Sequence, residues 1–237
     1  FGQSRCAAGK FQLCEDFESG TIDPALWTVV GTKPVIDGVQ KARGQKALHI
    51  TVTGNGSSAL RETKTFPAKD NTYWGRAFYY FQSMPAAPMA GAHWTLIAAT
   101  GTGVSGEIRV GGHLLGSGVN RFAVGTDNRV DANGTGDWSR FDNDPTGNPQ
   151  PVPLGRWVCL EWLHQGATNE TRFFWDGAEH GSMHTTDFDH GGNLNAYILP
   201  TFTTLTIGWA EYQAASDKFE LWVDEIAINN QRIGCEY

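Results

Sequence analysis

Short runs in which apolar and polar residues alternate recur along the whole chain, separated by turns rich in glycine. The clearest run is Ala47–Thr53, where Leu48, Ile50 and Val52 alternate with polar residues. This period of two is typical of a β-strand with one buried face. No segment has the period of a helix longer than one or two turns, and the 29 glycines suit a chain of many strands and turns. The sequence therefore predicts an all-β sandwich or barrel.

The length and net charge of the chain limit how many domains and which classes of partner we expect. The 237 residues contain no linker rich in proline or serine, so we expect a single domain over residues 1–237. The net charge of −7 disfavours binding to nucleic acid or to an anionic membrane, because both need a basic face. No apolar run is long enough to span a bilayer. We expect a monomer that binds neither nucleic acid nor membrane.

The four cysteines, Cys6, Cys14, Cys159 and Cys235, form no CxxC pair. An even number without that spacing favours two disulfides over a zinc site, and disulfides place the protein outside the cytoplasm. We expect Cys6 to pair with Cys14 and Cys159 with Cys235, since the second link would tie the C-terminal end to a central strand. Three connectivities are open on the sequence alone. Phe1 is interpreted as the start of a processed, secreted chain.

Charged residues occupy one face of the predicted strand Gly106–His113. Glu107, Arg109 and His113 fall on the same side, while the apolar residues between them point to the other. A carboxylate, a guanidinium and an imidazole so close together are suited to a polar site. The alternative is a solvated sheet face with a β-bulge at Gly111-Gly112.

Nine tryptophans are too many for every one to lie in the core. Flat indole rings stack on the apolar faces of sugars, so tryptophans beside charged residues are typical of a glycan cleft. Trp138, on a long polar loop, and Trp209, two residues before Glu211, are predicted to be exposed sugar platforms. The alternative is that most of the tryptophans belong to the core.

The acid–base groups of the chain suit elimination from a uronic acid. That reaction needs a cation to neutralise the carboxylate, a base to remove the C5 proton and an acid to protonate the departing O4. The candidate groups are Arg76, His93, Glu107, Arg109, His113 and Tyr212. A glycoside hydrolase would instead need a second carboxylate opposite Glu107 or Glu161.

Two places are candidate metal sites. His180, His184 and His190 share one loop, but the spacing of the first two suits a helix and the loop is rich in glycine, which favours a solvated loop. Glu18 and Asp224 would come together if the first and last strands pair, and two carboxylates with backbone carbonyls suit Ca²⁺. The alternative for Glu18 and Asp224 is a pair of surface acids.

Several motifs carry a resemblance to a known family. They are Asp16-Phe17-Glu18-Ser19-Gly20, Arg109-Val110-Gly111-Gly112, Cys159-Leu160-Glu161, Gly208-Trp209 with Tyr212, Trp222-Val223-Asp224-Glu225-Ile226 and Arg232-Ile233-Gly234-Cys235. In this order they resemble the secreted cellulose-induced protein family of fungi and its bacterial relatives, from about Cys14 to Cys235. The resemblance implies a β-jelly roll sandwich of two antiparallel sheets (concanavalin A-like), similar to glucuronan and alginate lyases. It also implies a place among systems that degrade plant cell walls and lignocellulose.

The same resemblance implies a ligand set and a cleft. A structural Ca²⁺ would be held by Glu18 and Asp224 with backbone oxygens near Arg43 and Lys46, and a disulfide would join the two C-terminal cysteines. The implied cleft on a concave sheet face contains Arg76, His93, Arg109 and Tyr212. The chain departs from the fungal pattern at two cleft positions, where Glu107 replaces an expected histidine and His113 an expected glutamine.

These observations together predict a secreted protein that acts on uronic-acid-containing polysaccharide by lyase-type β-elimination. Arg109 and Arg76 would bind the carboxylate, His93 or His113 would be the base and Tyr212 the acid. The alternative is a non-catalytic carbohydrate-binding protein that uses the same cleft, because a fold does not determine a function.

Overall fold

The protein is a sandwich of two antiparallel β-sheets in a computed structural model. The structure describes residues 2–7, 9–86, 91–103, 106–127, 138–192, 197–213 and 218–236. The described residues form fifteen strands and two single-turn 3₁₀ helices, Lys69–Asn71 and Gly181–Met183. The predicted all-β jelly-roll class is confirmed.

The first sheet has eight strands in the order β13-β12-β11-β6-β15-β4-β3, with β1 paired to β15 outside this path. Its strands are β1 (Leu13–Glu15), β3 (Val35–Asp37), β4 (Ala47–Thr53), β6 (Thr72–Ser83), β11 (Trp157–Gln165), β12 (Glu170–Trp175), β13 (Ala178–Glu179) and β15 (Lys218–Asn229). The pairing of β1 with β15 aligns Leu13 with Ile228, so the first and last strands are neighbours as expected.

The second sheet has seven strands in the order β10-β9-β8-β7-β14-β5-β2. Its strands are β2 (Trp27–Gly31), β5 (Gly56–Glu62), β7 (His93–Thr102), β8 (Glu107–Leu114), β9 (Asn120–Asp127), β10 (Trp138–Phe141) and β14 (Thr201–Glu211). Every strand pair in both sheets is antiparallel.

One apolar core lies between the sheets and draws side chains from both. Trp94 of β7 and Trp209 of β14 stack within it, with ring centroids 5.4 Å apart, and Phe122 packs edge-on against Trp94. Aromatic side chains bury large apolar areas, so they dominate the packing energy of such a core. This explains why many of the tryptophans are buried in the core.

Two local features differ from the sequence prediction. Strand β5 was not predicted, because Gly54-Asn55-Gly56 signals a chain reversal and the serines after it have low β-propensity. The bulge at Gly111-Gly112, which belonged to the alternative of a solvated face, is absent from the regular pairing of β8 with β9. The irregularity lies instead in β7, between Thr95 and Ile97.

Both expected disulfides are present. Cys6 is bonded to Cys14 across a separation of 8 residues, and Cys159 to Cys235 across 76. The second bond joins β11 to the C-terminal segment. No helix in the described part of the chain is long and apolar enough to cross a bilayer.

Candidate functional site

A cleft of about 430 Å³ lies on the outer face of the second sheet, the face that points away from the core. It crosses β5, β14, β7 and β8. Short side chains make its floor, among them Ala59, Thr95, Ala98, Thr206 and Ala210. Since these residues alternate with core residues along their strands, the sheet itself creates the hollow, and longer side chains at its ends supply the chemistry.

Arg109 lies beside this floor, opposite Ala98 on β7 and Gly125 on β9. Its guanidinium carbon is 4.7 Å from the ring centroid of Trp138, and Nη1 is 3.9 Å from the Glu107 carboxylate. Gly125 has no side chain, so the ring of Trp138 has room beneath the guanidinium. The cation is thus held by an aromatic face and a carboxylate, in an orientation fixed by β8.

His93 and His113 face each other on neighbouring strands. Their ring centroids are 6.3 Å apart, and Trp138 lies edge-on to both at 6.1 and 5.7 Å. Phe141 lies edge-on to His113 at 4.7 Å. The two imidazoles therefore lie among aromatic rings next to Arg109, and this packing limits the rotation of both histidine side chains.

Gln213 determines which ring nitrogen of neutral His93 carries the proton. Its Oε1 accepts the His93 main-chain N–H at 2.7 Å, and its Nε2 lies 2.7 Å from His93 Nδ1. The main-chain donor sets the orientation of the amide, so the NH₂ group faces Nδ1. An amide NH₂ only donates, hence Nδ1 accepts and the ring proton of neutral His93 is on Nε2. Gln213 was not among the site residues predicted from the sequence.

Tyr212 stands at the opening of the cleft with its ring stacked on His93 at a centroid distance of 5.1 Å. Its hydroxyl donates to Thr95 Oγ1 at 3.0 Å. The residue is 45% exposed, yet partial burial of the phenol is the main cause that raises its pKa. The negative charge of Glu107 acts in the same direction. Tyr212 therefore keeps its proton through the neutral range and is suited to donate it.

Glu211 lies below the cleft opening on the core side of β14. Its Oε1 accepts the main-chain N–H of Gln213 at 3.1 Å, and within the described residues Oε2 has no hydrogen-bond partner. Burial raises the pKa of this carboxyl to about 7. By holding the turn after β14, Glu211 positions both Tyr212 and Gln213.

Five of the six predicted acid–base residues are thus brought together: His93, Glu107, Arg109, His113 and Tyr212. They come from β7, β8 and the end of β14. Adjacent pairing of these strands, rather than closeness in the sequence, creates the cluster.

The prediction that Arg76 lies in the cleft is wrong. Arg76 is on β6 in the middle of the first sheet, is fully buried, and places Nη2 2.8 Å from Glu225 Oε2. Arg43 reaches the same carboxylate oxygen at 3.1 Å, and the Arg5 main-chain N–H donates to the other. Burial lowers the pKa of Arg76 to about 10. Residue alternation assigned Arg76 to a face of its strand but gave no information on which sheet the strand joins.

Trp209 is not an exposed platform. It is 1% exposed and lies in the core, stacked on Trp94. Trp138 belongs to the site but is 5% exposed, so it supports Arg109 and the histidines without offering an open face. The expectation for Trp138 rested on its place in a long polar loop and that for Trp209 on its closeness to Glu211, and neither feature determines side-chain exposure.

Glu107 and Glu161 do not face each other as a hydrolase pair would. Glu161 is buried on β11 of the first sheet, where its oxygens accept the main-chain N–H groups of Ile233 and Gly234 and pair with Arg232. It anchors the C-terminal segment beside the disulfide of Cys235.

The histidines of the loop after β13 have separate partners. His180 Nδ1 lies 2.8 Å from Asp142, His184 Nε2 lies 2.9 Å from Glu170, and His190 Nδ1 lies near its neighbouring carbonyl. Among the described residues, no group of three or more His, Cys, Asp or Glu side chains is placed to hold a metal.

Glu18 and Asp224 approach one loop from two sides. Asp224 Oδ2 accepts the N–H groups of Ala42 and Arg43 at 2.9 and 3.0 Å. Glu18 Oε1 accepts those of Gln45 and Lys46 at 2.8 and 2.9 Å. Burial raises the pKa of Asp224 to about 7. The two carboxylates would offer the oxygen ligands that Ca²⁺ prefers, and carbonyls of residues 42–46 would have to complete the set.

Arg61 is a further cleft residue that the sequence analysis did not identify. It lies on β5 opposite Thr206, with Ser57 and Ala59 on the same face of the strand. The alternation of Ser57, Ala59 and Arg61 is the signal that would have indicated a strand here.

Comparison with known proteins gives a structural match. No family model matches the chain, and neither does any curated protein. The structure is similar to cellulose induced protein Cip1, with a TM-score of 0.67 and 21% identity over 94% of this chain and 100% of that one. The resemblance drawn from the motifs is thereby confirmed at the level of the fold.

Two other solved structures share this fold. Domain 4 of AbnA, a GH43 extracellular arabinanase from Geobacillus stearothermophilus in complex with arabinotriose, has a TM-score of 0.54 and 13% identity over 94% of each chain. A carbohydrate esterase of the Shiga toxin-encoding bacteriophage phi24B has a TM-score of 0.55 and 13% identity over 95% of this chain and 99% of its own. Identities this low establish the fold alone.

Proposed function

We propose that the protein is a secreted, carbohydrate-active protein that binds uronic-acid-containing polysaccharide in this cleft and cleaves it by β-elimination. The observation that carries the proposal is the convergence of Arg109, Tyr212 and the two histidines beside an open hollow that Glu107 and Tyr212 line. Similarity to Cip1 and to folds solved with, or named for, carbohydrate substrates supports it. Two disulfides support an extracellular location.

Each group has a role that its surroundings favour. Arg109 binds the uronate carboxylate and draws negative charge from C5 as its proton leaves. His113 takes that proton, because Gln213 leaves His93 with its proton on Nε2 and so makes His93 a donor. The C4–O4 bond breaks as the C4–C5 double bond forms, and Tyr212 gives its hydroxyl proton to O4.

A rise in absorbance at about 235 nm, from the unsaturated uronide, tests the proposal. Glucuronan, glucuronoxylan and alginate are the substrates. Tyr212→Phe removes one hydroxyl from a partly exposed side chain, so we expect binding to persist while turnover falls by about 10²–10⁴-fold. Arg109→Ala should lose both binding and turnover, and Arg156→Ala, just before β11 of the other sheet, is the control. Absence of product from every polymer would overturn the elimination mechanism.

A second candidate function is binding without cleavage. It is favoured by Domain 4 of AbnA, a similar fold that was solved with a bound trisaccharide. Retained affinity for one polymer with no chromophore, and equal affinity in Tyr212→Phe, would establish this function instead.

We also propose a structural Ca²⁺ between Glu18, Asp224 and the carbonyls of residues 42–46. The two carboxylates already hold this loop through its N–H groups. Millimolar CaCl₂ should raise the melting temperature relative to EGTA, and Glu18→Gln should abolish most of the difference. Identical melting of the wild type in CaCl₂ and EGTA would contradict the proposal.

A further inference from the structure

The cleft continues along β5 and β7 into a second hollow. This hollow, of about 420 Å³, shares Arg61 and Thr100 with the first and is otherwise lined by glycines and the threonines at 203 and 204. Because two residues belong to both hollows, they form one groove across the sheet. A groove of this length accommodates several sugar units rather than one.

Arg61 and Arg109 lie on the same cross-strand row of this groove. The pairing runs from Arg109 to Ala98, from Ala98 to Thr206 and from Thr206 to Arg61. Three strand spacings of about 4.8 Å separate the two arginines by roughly 14 Å. The two residues between them are small, so nothing on the row obstructs a polymer that lies over both cations.

Arg61 is exposed, and its side chain makes no hydrogen bond or ion pair with any described residue. The other arginines in the described ranges each have a polar or charged partner. Examples are Arg43 with Glu225, Arg121 with Asn143, Arg140 with Asp189 and Arg172 with Glu179. In a chain of net charge −7, an uncompensated cation in a groove marks a place for an anionic ligand group.

We propose that Arg61 binds a second carboxylate of the polymer, so that the preferred ligand carries uronates in succession along its main chain. This inference rests on the proposed function of the Arg109 cleft. A guanidinium offers a planar pair of donors to a carboxylate, while the threonine hydroxyls along the groove suit sugar hydroxyls. A neutral main chain with isolated uronate branches occupies Arg109 alone and gains nothing from Arg61.

Affinity for two polymers tests this assignment. Oligosaccharides of glucuronan carry a carboxylate on every unit, whereas those of glucuronoxylan carry isolated ones. We expect Arg61→Gln to weaken glucuronan binding about tenfold or more and to leave glucuronoxylan binding within about twofold, measured by calorimetry at fixed salt. Arg61→Lys keeps the charge but loses the paired donors, so its affinity should fall between those of the wild type and Arg61→Gln. Arg156→Gln, outside the groove, is the matched control.

The possible results distinguish failure of the Arg61 site from failure of the proposed function. If the wild type binds or cleaves these polymers and Arg61→Gln binds both as the wild type does, the second carboxylate site is wrong and the proposed function stands. Equal weakening for both polymers also overturns it, since Arg61 then acts without regard to successive uronates. A wild type that binds neither of these polymers and also fails to bind alginate overturns both proposals. A melting curve for each variant verifies that it is folded.

Discussion

Gln213 and His93 are joined by two hydrogen bonds of opposite polarity, each 2.7 Å long. The glutamine accepts from the main chain of the histidine and donates to its ring. The side chain that follows the candidate acid, Tyr212, thus determines which nitrogen of the neighbouring imidazole carries the proton. This relationship can be tested without any substrate.

Gln213→Glu should move the ring proton of neutral His93 from Nε2 to Nδ1. One carboxylate oxygen still accepts the main-chain N–H, but the other can only accept, so Nδ1 becomes the protonated nitrogen. Long-range ¹H–¹⁵N NMR of the ring should detect the exchange of roles between Nδ1 and Nε2, and the pH profile of any turnover should move with it. Gln82→Glu, an exposed position on the first sheet, is the control. Unchanged ring shifts in Gln213→Glu would contradict the assignment.

Glu211 should make the protein less stable as pH rises. Its folded carboxyl has a pKa of about 7, above its unfolded value of about 4.5, so the folded state binds more protons between these values. The cost of burying the charge is absent below pH 4.5 and complete above pH 7. Glu211→Gln keeps an acceptor for Gln213, so it should gain about 1–2 kcal/mol at pH 8 and little at pH 4.

Denaturant unfolding at the two pH values measures this difference. Asp70→Asn removes a charge from an exposed position and should show no such pH dependence. A gain from Glu211→Gln that is equal at both pH values would show that the buried charge is not its source.

Trp209 should matter for stability and not for sugar affinity. Trp209→Ala leaves a large cavity beside Trp94 and is expected to cost about 3–5 kcal/mol. Phe188→Ala, at a residue that is 97% exposed, should stay within about 0.5 kcal/mol. Chemical denaturation gives both values. A sugar platform would behave in the opposite way, with lost affinity and nearly unchanged stability.

The two disulfides should contribute unequally. Chain-entropy arguments give about 4.5 kcal/mol for the Cys159–Cys235 loop and about 2.5 kcal/mol for the much shorter Cys6–Cys14 loop. Double alanine variants of each pair, unfolded in urea, measure the contributions. The C-terminal segment should stay attached in the first variant because Glu161 still accepts the N–H groups of Ile233 and Gly234. Equal losses from both variants would argue against an origin in loop length.

The errors of the sequence analysis have a common physical cause. Arg76 and Arg109 both lie on polar positions of alternating strands, and the sequence pattern treats them alike. In the structure, Arg76 is buried with Glu225 in the first sheet, and Arg109 lies beside the cleft of the second sheet, over the ring of Trp138. Arg61 was not predicted as a site residue because β5 begins with residues of low β-propensity. In the structure β5 lies between β14 and β2 and is an interior strand of the sheet.

The sequence by itself determined the class of fold and the strands with clear alternation, and it indicated five members of the site, because side-chain direction in a strand follows from local geometry. It favoured the observed disulfide pairs but left three connectivities open. Only the tertiary structure decided which strands are neighbours. It thereby placed Arg61 in the groove, removed Arg76 and Trp209 from it, and brought Gln213 against His93. Strand pairing uses main-chain hydrogen bonds that every residue except proline can form, so neighbours are selected by the packing of the whole core and not by any short stretch of sequence.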